Sequence, residues 1–171
     1  MNLKSLADMK LPAYLDGKIQ EITLGSLVDE YLVLIFYPYD FTTVCPSEIN
    51  TLSDHHDEFQ QLKANLSFIS CDSVFSHQAW AQIDPKDKGI KGVKYPLLSD
   101  YTKELTKQLW LLNKDGACKR ATVILDRQLN VLYYSFSINE IGRSSKELKR
   151  IIRALTFNKN SKQMCLMDWD E

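Results

Sequence analysis

What the chain lacks narrows its function before any motif is read. Its 21 lysines and arginines stand against 22 aspartates and glutamates, a formal net charge of -1, and there is no long basic block to grip a phosphate backbone. Nucleic acid is therefore not an expected partner, whereas a small or neutral molecule is. No apolar run approaches the ~20 residues that a helix needs to cross a bilayer. The longest candidate, Tyr31 to Tyr37, is strand-sized, so no membrane partner is expected either. Met1 to Lys10 mixes Lys4, Asp8 and Lys10 with apolar residues and lacks the uninterrupted apolar stretch of a signal peptide, which argues for a cytoplasmic protein. Cys45, Cys71, Cys118 and Cys165 include no C-x-x-C pair, so neither a zinc knuckle nor a thioredoxin redox motif is written here. His55, His56 and His77 are not spaced with any cysteine as ligands, and neither a metal nor another cofactor is expected. An even number of cysteines admits two structural disulfides. A chain of 171 residues buries enough core to do without them, and in a reducing cytosol the four begin as thiols.

What is present is the composition of an ordinary soluble domain, 44% hydrophobic and 25% charged. Leu32 to Phe36 is a short, continuously apolar, β-rich run, the mark of a strand covered on both faces. Pro46 opens a helix expected to reach about Ala64, with Ile49, Leu52, His56, Phe59 and Leu62 on its buried stripe, which makes His56 a core residue. Ser67 to Cys71 is the next strand, completing a right-handed βαβ unit. Ser73 to Leu112 reads as an insertion with short helices around Ser76–Ile83 and Thr102–Leu109. Ala121–Leu125 and Val131–Phe136 then form an antiparallel hairpin. Ser144, with Glu147 three residues on, makes a capping box for a helix that buries Leu148, Ile151, Ile152 and Leu155. Beyond Phe157 the chain turns polar. Residues 1–157 are thus expected to form the domain, and 158–171 a C-terminal tail whose Met164, Cys165, Met167 and Trp169 need something to dock on. Strand, helix, strand, insertion, two strands and a helix is the thioredoxin-like order: a mixed central sheet flanked by helices, with its site where the first strand hands over to its helix.

That handover holds Pro38-Tyr-Asp-Phe-Thr42-Thr-Val-Cys45-Pro46. In the first turn of a helix, unpaired N–H groups and the positive end of the dipole favour thiolate over thiol, and cysteines in such places ionise at ~3.5–7.5 instead of about 8.5. Cys45 is the expected nucleophile. Cys71, inside an apolar strand, reads as a small hydrophobe, and Cys118, beside Lys119 and Arg120, as an oxidisable thiol without an assigned role.

Pro38, Thr42 and Cys45 make up P-x-x-x-T-x-x-C, and the whole of Phe36 to Glu48 closely resembles the active-site loop of the peroxiredoxins. Ser76–Trp80, Tyr95–Asp100, Arg120–Asp126 and Ile141–Arg143 extend the resemblance along nearly the entire chain. Cys165 with Trp169 resembles the C-terminal resolving motif of the typical two-cysteine group, which includes the alkyl hydroperoxide reductase and thiol-specific antioxidant proteins. The resemblance implies a peroxidase in which Cys45 attacks a hydroperoxide and becomes a sulfenic acid. It implies that Arg120 holds the thiolate and aligns the peroxide, Thr42 hydrogen-bonds it, Pro38 shields it, and Glu48 with Arg143 orients Arg120. It further implies that Cys165 of a second subunit closes an intersubunit disulfide, reopened by a thioredoxin-type or dedicated disulfide reductase. A homodimer follows from that pairing, and a decamer built from dimers is the family expectation. Two departures, the loosely spaced Gly89 and Gly92 and an end six residues after Cys165, point to resistance against overoxidation. Leu166-Met-Asp also departs from the family's usual residues after the resolving cysteine. Two other readings of the same residues are a holdase chaperone or redox-signalling scaffold, and a one-cysteine enzyme resolved by an external thiol.

Overall fold

The run Tyr31 to Phe36 forms the central strand of the sheet because every one of its six side chains finds a buried environment, on one face or the other. The computed structural model describes residues 3–170. In chain order it contains β1 (Lys10–Leu15), β2 (Lys18–Thr23), β3 (Tyr31–Phe36), α1 (Val44–Asp54), α2 (His56–Gln61), β4 (Ala64–Ser70) and α3 (Val74–Trp80). These are followed by β5 (Leu97–Ser99), α4 (Glu104–Gln108), β6 (Arg120–Asp126), β7 (Val131–Ser137) and α5 (Ser145–Ser161). The strands form one seven-stranded sheet in the order β2-β1-β5-β4-β3-β6-β7. β3 runs parallel to β4 and antiparallel to β6, which makes the sheet mixed as expected. Successive side chains of a strand point to opposite faces. Val33 and Ile35 accordingly pack with Ile49, Leu52, Phe59, Trp80, Leu148 and Ile152 of the helices on one side. Leu32, Leu34 and Phe36 pack with Leu105, Val123, Leu125 and the N-terminal Leu3 and Leu6 on the other.

Several elements differ from the sequence reading. The helix begins at Val44, leaving Pro46 in the first turn, where its missing N–H is not needed. It is also interrupted, α1 ending at Asp54 and α2 restarting at His56. Ser53 Oγ donates to the Ile49 carbonyl at 2.8 Å, the back-bonding that bends helices, and His55 leaves helical geometry. Lys63, at φ 52°, then turns the chain into β4, so Ala64 opens a strand where the stripe predicted helix. His56 is not a core residue: it is half-buried with its ring 5.1 Å from Tyr95. The hydrophobic pattern carries no sign of the edge hairpin formed by β1 and β2, since β2 is mostly exposed. Its signal is the turn Asp16-Gly17, both residues at positive φ, the chemistry of a tight hairpin. The Ser73–Leu112 stretch contributes β5 to the sheet, parallel to β4 and antiparallel to β1.

The β6–β7 hairpin forms as predicted, with a bulge at Ile124 and Leu125. Ser144 caps α5 by accepting from the Glu147 N–H at 3.2 Å, but the Glu147 carboxylate pairs with Arg150 instead of reaching back. α5 continues four residues past Phe157 to Ser161, and the tail folds back along it. Trp169 lies on Phe157 with ring centroids 5.2 Å apart, while Arg150 donates to the Trp169 carbonyl and Arg153 to Asp170.

Candidate active site

β3 delivers the chain to the site and α1 carries it away, with Tyr37 to Thr43 between them. The loop is anchored by groups far apart in sequence. The buried Tyr37 hydroxyl donates to Asp40 Oδ1 at 2.8 Å, His77 Nδ1 lies 2.8 Å from Asp40 Oδ2, and the Asp40 N–H donates to Asp72 Oδ2 at 3.0 Å. Burial and the Asp40 carboxylate push the Tyr37 phenol well above its ordinary range, which keeps it a donor. Phe41 sits at φ 56°, a costly conformation for a bulky residue, with its ring 5.9 Å from Trp80. Asp72 was not singled out from the sequence, and Tyr37, Asp40 and His77 entered only as parts of family landmarks. No local pattern marks residues that meet across 30 or more positions.

Cys45 occupies the first turn of α1 and is 1% exposed. Arg120, the first residue of β6, donates from Nη2 to its sulfur at 3.4 Å. The guanidinium is fixed from two sides: Nε and Nη2 donate to the Asn139 carbonyl at 3.2 and 2.9 Å, and Nη1 donates to Glu48 Oε2. Asn139 is a further positioning group the sequence did not reveal, because it acts through its backbone. Glu48, one turn after Cys45 on α1, is itself 6% exposed and receives Arg143 three times: from the backbone N–H at 2.7 Å, Nε at 2.9 Å and Nη2 at 2.8 Å. Arg143 Nη1 ties the cluster to the sheet by donating to the Ala121 and Phe36 carbonyls at 2.6 and 3.0 Å. Burial alone would raise the Glu48 carboxyl. The hydrogen bonds and charge of Arg143, with the charge of Arg120, outweigh it and hold Glu48 below its ordinary 4.5. A carboxylate thus stays ionised between two guanidiniums, one of which reaches the sulfur.

The structure therefore brings Cys45, Arg120, Glu48 and Arg143 together. Thr42 and Pro38 lie in the loop before Cys45, Pro38 buried and Thr42 half-buried. The Thr42 hydroxyl donates to the Tyr39 carbonyl at 3.2 Å, which leaves its oxygen free to accept from a protonated peroxide. Cys165 is held elsewhere, its thiol donating to the Ala154 carbonyl of α5 at 3.5 Å. A groove beside α5 links the two regions. One pocket, of about 420 Å³, is lined by Glu48, Tyr133, Arg143 and Ile151, and the next by Tyr133, Ile151 and Cys165. A buried thiol at a helix start, gripped by a guanidinium that a buried carboxylate orients, defines a cysteine-based redox site on a thioredoxin-like sheet.

Comparison with known proteins agrees. The profile described as "AhpC/TSA family" matches residues 4–134. A protein of Encephalitozoon cuniculi whose name includes the words thioredoxin peroxidase is 42% identical over 167 residues, 97% of this chain and 94% of the relative. The mitochondrial thioredoxin-dependent peroxide reductase of Drosophila melanogaster is 39% identical over 164 residues, 95% of this chain and 70% of the relative. The crystal structure of reduced Plasmodium vivax 2-Cys peroxiredoxin superposes with a TM-score of 0.91 at 35% identity, covering 95% of this chain and 85% of that one. This chain belongs to the AhpC/TSA family and is a peroxiredoxin of the two-cysteine type.

Proposed function

We propose that this chain is a thiol-dependent peroxidase that reduces hydrogen peroxide and organic hydroperoxides through Cys45. The observation that carries the reading is the Arg120 N–H aimed at the Cys45 sulfur from a guanidinium locked by Glu48 and Asn139. The Cys45 thiolate attacks one peroxide oxygen. The S–O bond forms as O–O breaks, the departing alkoxide or hydroxide takes a proton, and a sulfenic acid remains. Arg120 supports the charge on sulfur and on the breaking bond, Thr42 accepts from the peroxide, and Pro38 limits water. The thiol of Cys165 from a second subunit then displaces the hydroxyl of the sulfenic acid as water, giving an intersubunit disulfide that a thioredoxin-type dithiol reduces. Cys45 is buried and Cys165 is docked on α5, so both segments open locally before the sulfurs meet.

The working unit of this proposal is a homodimer. It is supported by β7, an edge strand with Leu132, Tyr134 and Phe136 exposed. Assembly of dimers into a decamer, and residence in the cytoplasm, belong to the same proposal; the exposed Phe41, Phe75 and Trp110 offer apolar surface for the former. One equivalent of hydrogen peroxide followed by non-reducing electrophoresis tests the cycle. A covalent dimer should form, and should vanish in Cys45→Ser and in Cys165→Ser alike. A covalent dimer that survives Cys165→Ser would remove Cys165 from its role, and one that survives Cys45→Ser would remove Cys45.

A further inference from the structure

We propose that Cys71 and Cys118 are a second redox dithiol, oxidised by hydroperoxide to an intramolecular disulfide without help from Cys45 or Cys165. The two sulfurs lie 3.4 Å apart although the residues are 47 positions apart. Topology makes the meeting possible. β3 lies between β4 and β6 in the sheet, but it ends at Phe36 and its chain turns off through Pro38. The space past its end is left to Cys71, directly after β4, and Cys118, two residues before β6 begins. Cys118 is held there by a bridge to Leu112 in a small turn. The pair packs with the core on the sheet face opposite to the one that includes Cys45, so it is a separate centre.

The two cysteines are not equivalent. Cys118 is fully buried, whereas Cys71 is half-buried and lines a surface pocket of about 390 Å³ with Pro38, Tyr39, Tyr101, Lys103 and Asp115. An oxidant entering that pocket meets Cys71 first. The Thr106 hydroxyl sits beside both sulfurs, 3.3 Å from Cys118 and 3.8 Å from Cys71. The hydrogen bond with Cys118 lowers the Cys71 pKa and Thr106 and Lys103 add to this, while burial and the charge of Asp100 oppose it without reversing the direction. The same contact with Cys71, together with burial, pushes Cys118 far up, so the more exposed sulfur is the more readily ionised of the two.

The chemistry balances with hydroperoxide, the substrate of the family, as sole oxidant. The Cys71 thiolate attacks the peroxide, S–O forms as O–O breaks, and the leaving alkoxide or hydroxide is protonated. Cys118 then attacks the Cys71 sulfenic sulfur, S–S forms as S–O breaks, and the hydroxyl leaves as water with the Cys118 proton. Two thiols and one hydroperoxide become one disulfide, one alcohol and one water. The sulfurs need approach by only the difference between 3.4 Å and a bond of about 2.05 Å.

The test uses the full chain carrying Cys45→Ser and Cys165→Ser, titrated with hydrogen peroxide. Both remaining thiols should be lost together, the intact mass should fall by two hydrogens, and digestion should yield a peptide pair joined through Cys71 and Cys118 in a monomeric chain. Adding Cys118→Ser should leave a Cys71 sulfenic acid that dimedone traps, and adding Cys71→Ser should leave Cys118 reduced. Sulfinic acid at Cys71 beside a free Cys118, a Cys71 disulfide between chains, or two thiols surviving excess peroxide would each overturn the proposal. If the serine variants unfold, the unsubstituted protein decides: the Cys71–Cys118 peptide pair must be present after oxidation, and its absence refutes the pair. Because Cys45 and Cys165 are absent from the main test, the result is independent of the peroxidase reading.

Discussion

Replacing Arg120 by lysine keeps the positive charge and removes the geometry. The arginine, 1% exposed, serves three acceptors at once: Cys45 Sγ at 3.4 Å, Glu48 Oε2, and the Asn139 carbonyl at 2.9 and 3.2 Å. A lysine has one nitrogen, and the Glu48 carboxylate is the strongest acceptor within reach, so the sulfur loses its donor. Removing one preorganised donor from a site of developing negative charge lowers rates by about 10²–10³-fold, roughly 2.7–4 kcal/mol. The retained charge places the expected loss near the lower end, about 10²-fold in the second-order rate constant for Cys45 oxidation. Stopped-flow tryptophan fluorescence against hydrogen peroxide concentration reads that constant. Leaving the Asn139 carbonyl unpaired costs about 1–2 kcal/mol, so the melting temperature should fall by only about 3–6 °C and the variant should fold. A folded Arg120→Lys protein that reacts within about threefold of the unsubstituted enzyme would refute the assignment of the fork to the sulfur.

Glu48→Gln should destabilise by about 3–5 kcal/mol near neutral pH, because the buried Arg120 guanidinium and the half-buried Arg143 guanidinium lose their shared counter-charge. Glu48 has a folded pKa held below 4.5, so its contribution is present above that value and lost as pH falls through the folded pKa; the gap between the two proteins should narrow on acidification. Urea denaturation at about pH 7 and about pH 4 checks this, and a gap of equal size at both would contradict it. Trp169→Ala removes the ring contact with Phe157, worth about 0.5–1.5 kcal/mol, and should free the tail. Peroxide-induced intersubunit disulfide should then form about 2–10-fold faster, and an unchanged or slower rate would mean that tail release does not limit it. Asp40→Asn weakens the anchor shared by Tyr37 and His77 and should raise hydrogen exchange in the Tyr37–Thr43 loop while leaving β7 unchanged. Equal exchange in the loop before and after substitution would deny the network its anchoring role.

The nucleophile, its helix and the central strand were legible because each is written in neighbouring residues. An unbroken apolar run demands cover on two faces, and Cys45 next to Pro46 marks a helix start. The P-x-x-x-T-x-x-C spacing carried the family resemblance that pointed to Arg120, Glu48 and Arg143. The β1–β2 hairpin escaped because an exposed edge strand has little apolar pattern, although Asp16-Gly17 was there to be read. The break at His55 escaped because it arises from a serine bonding back to its own helix, a choice that periodicity does not encode. The Trp169 tail was foreseen as needing a dock, but that the dock is α5 of the same chain came from its folded path.

Local composition and spacing thus marked one residue for chemistry, a thiol at a helix start, and the family resemblance added a rigid cationic fork at a strand start and a second thiol near the C-terminal end. Tertiary structure alone decided which of them touch. Glu48 meets Arg120 across 72 positions and Arg143 across 95, and Cys71 meets Cys118 across 47. Such encounters depend on strand order and on where β3 stops, properties of the assembled sheet that no short stretch of chain contains.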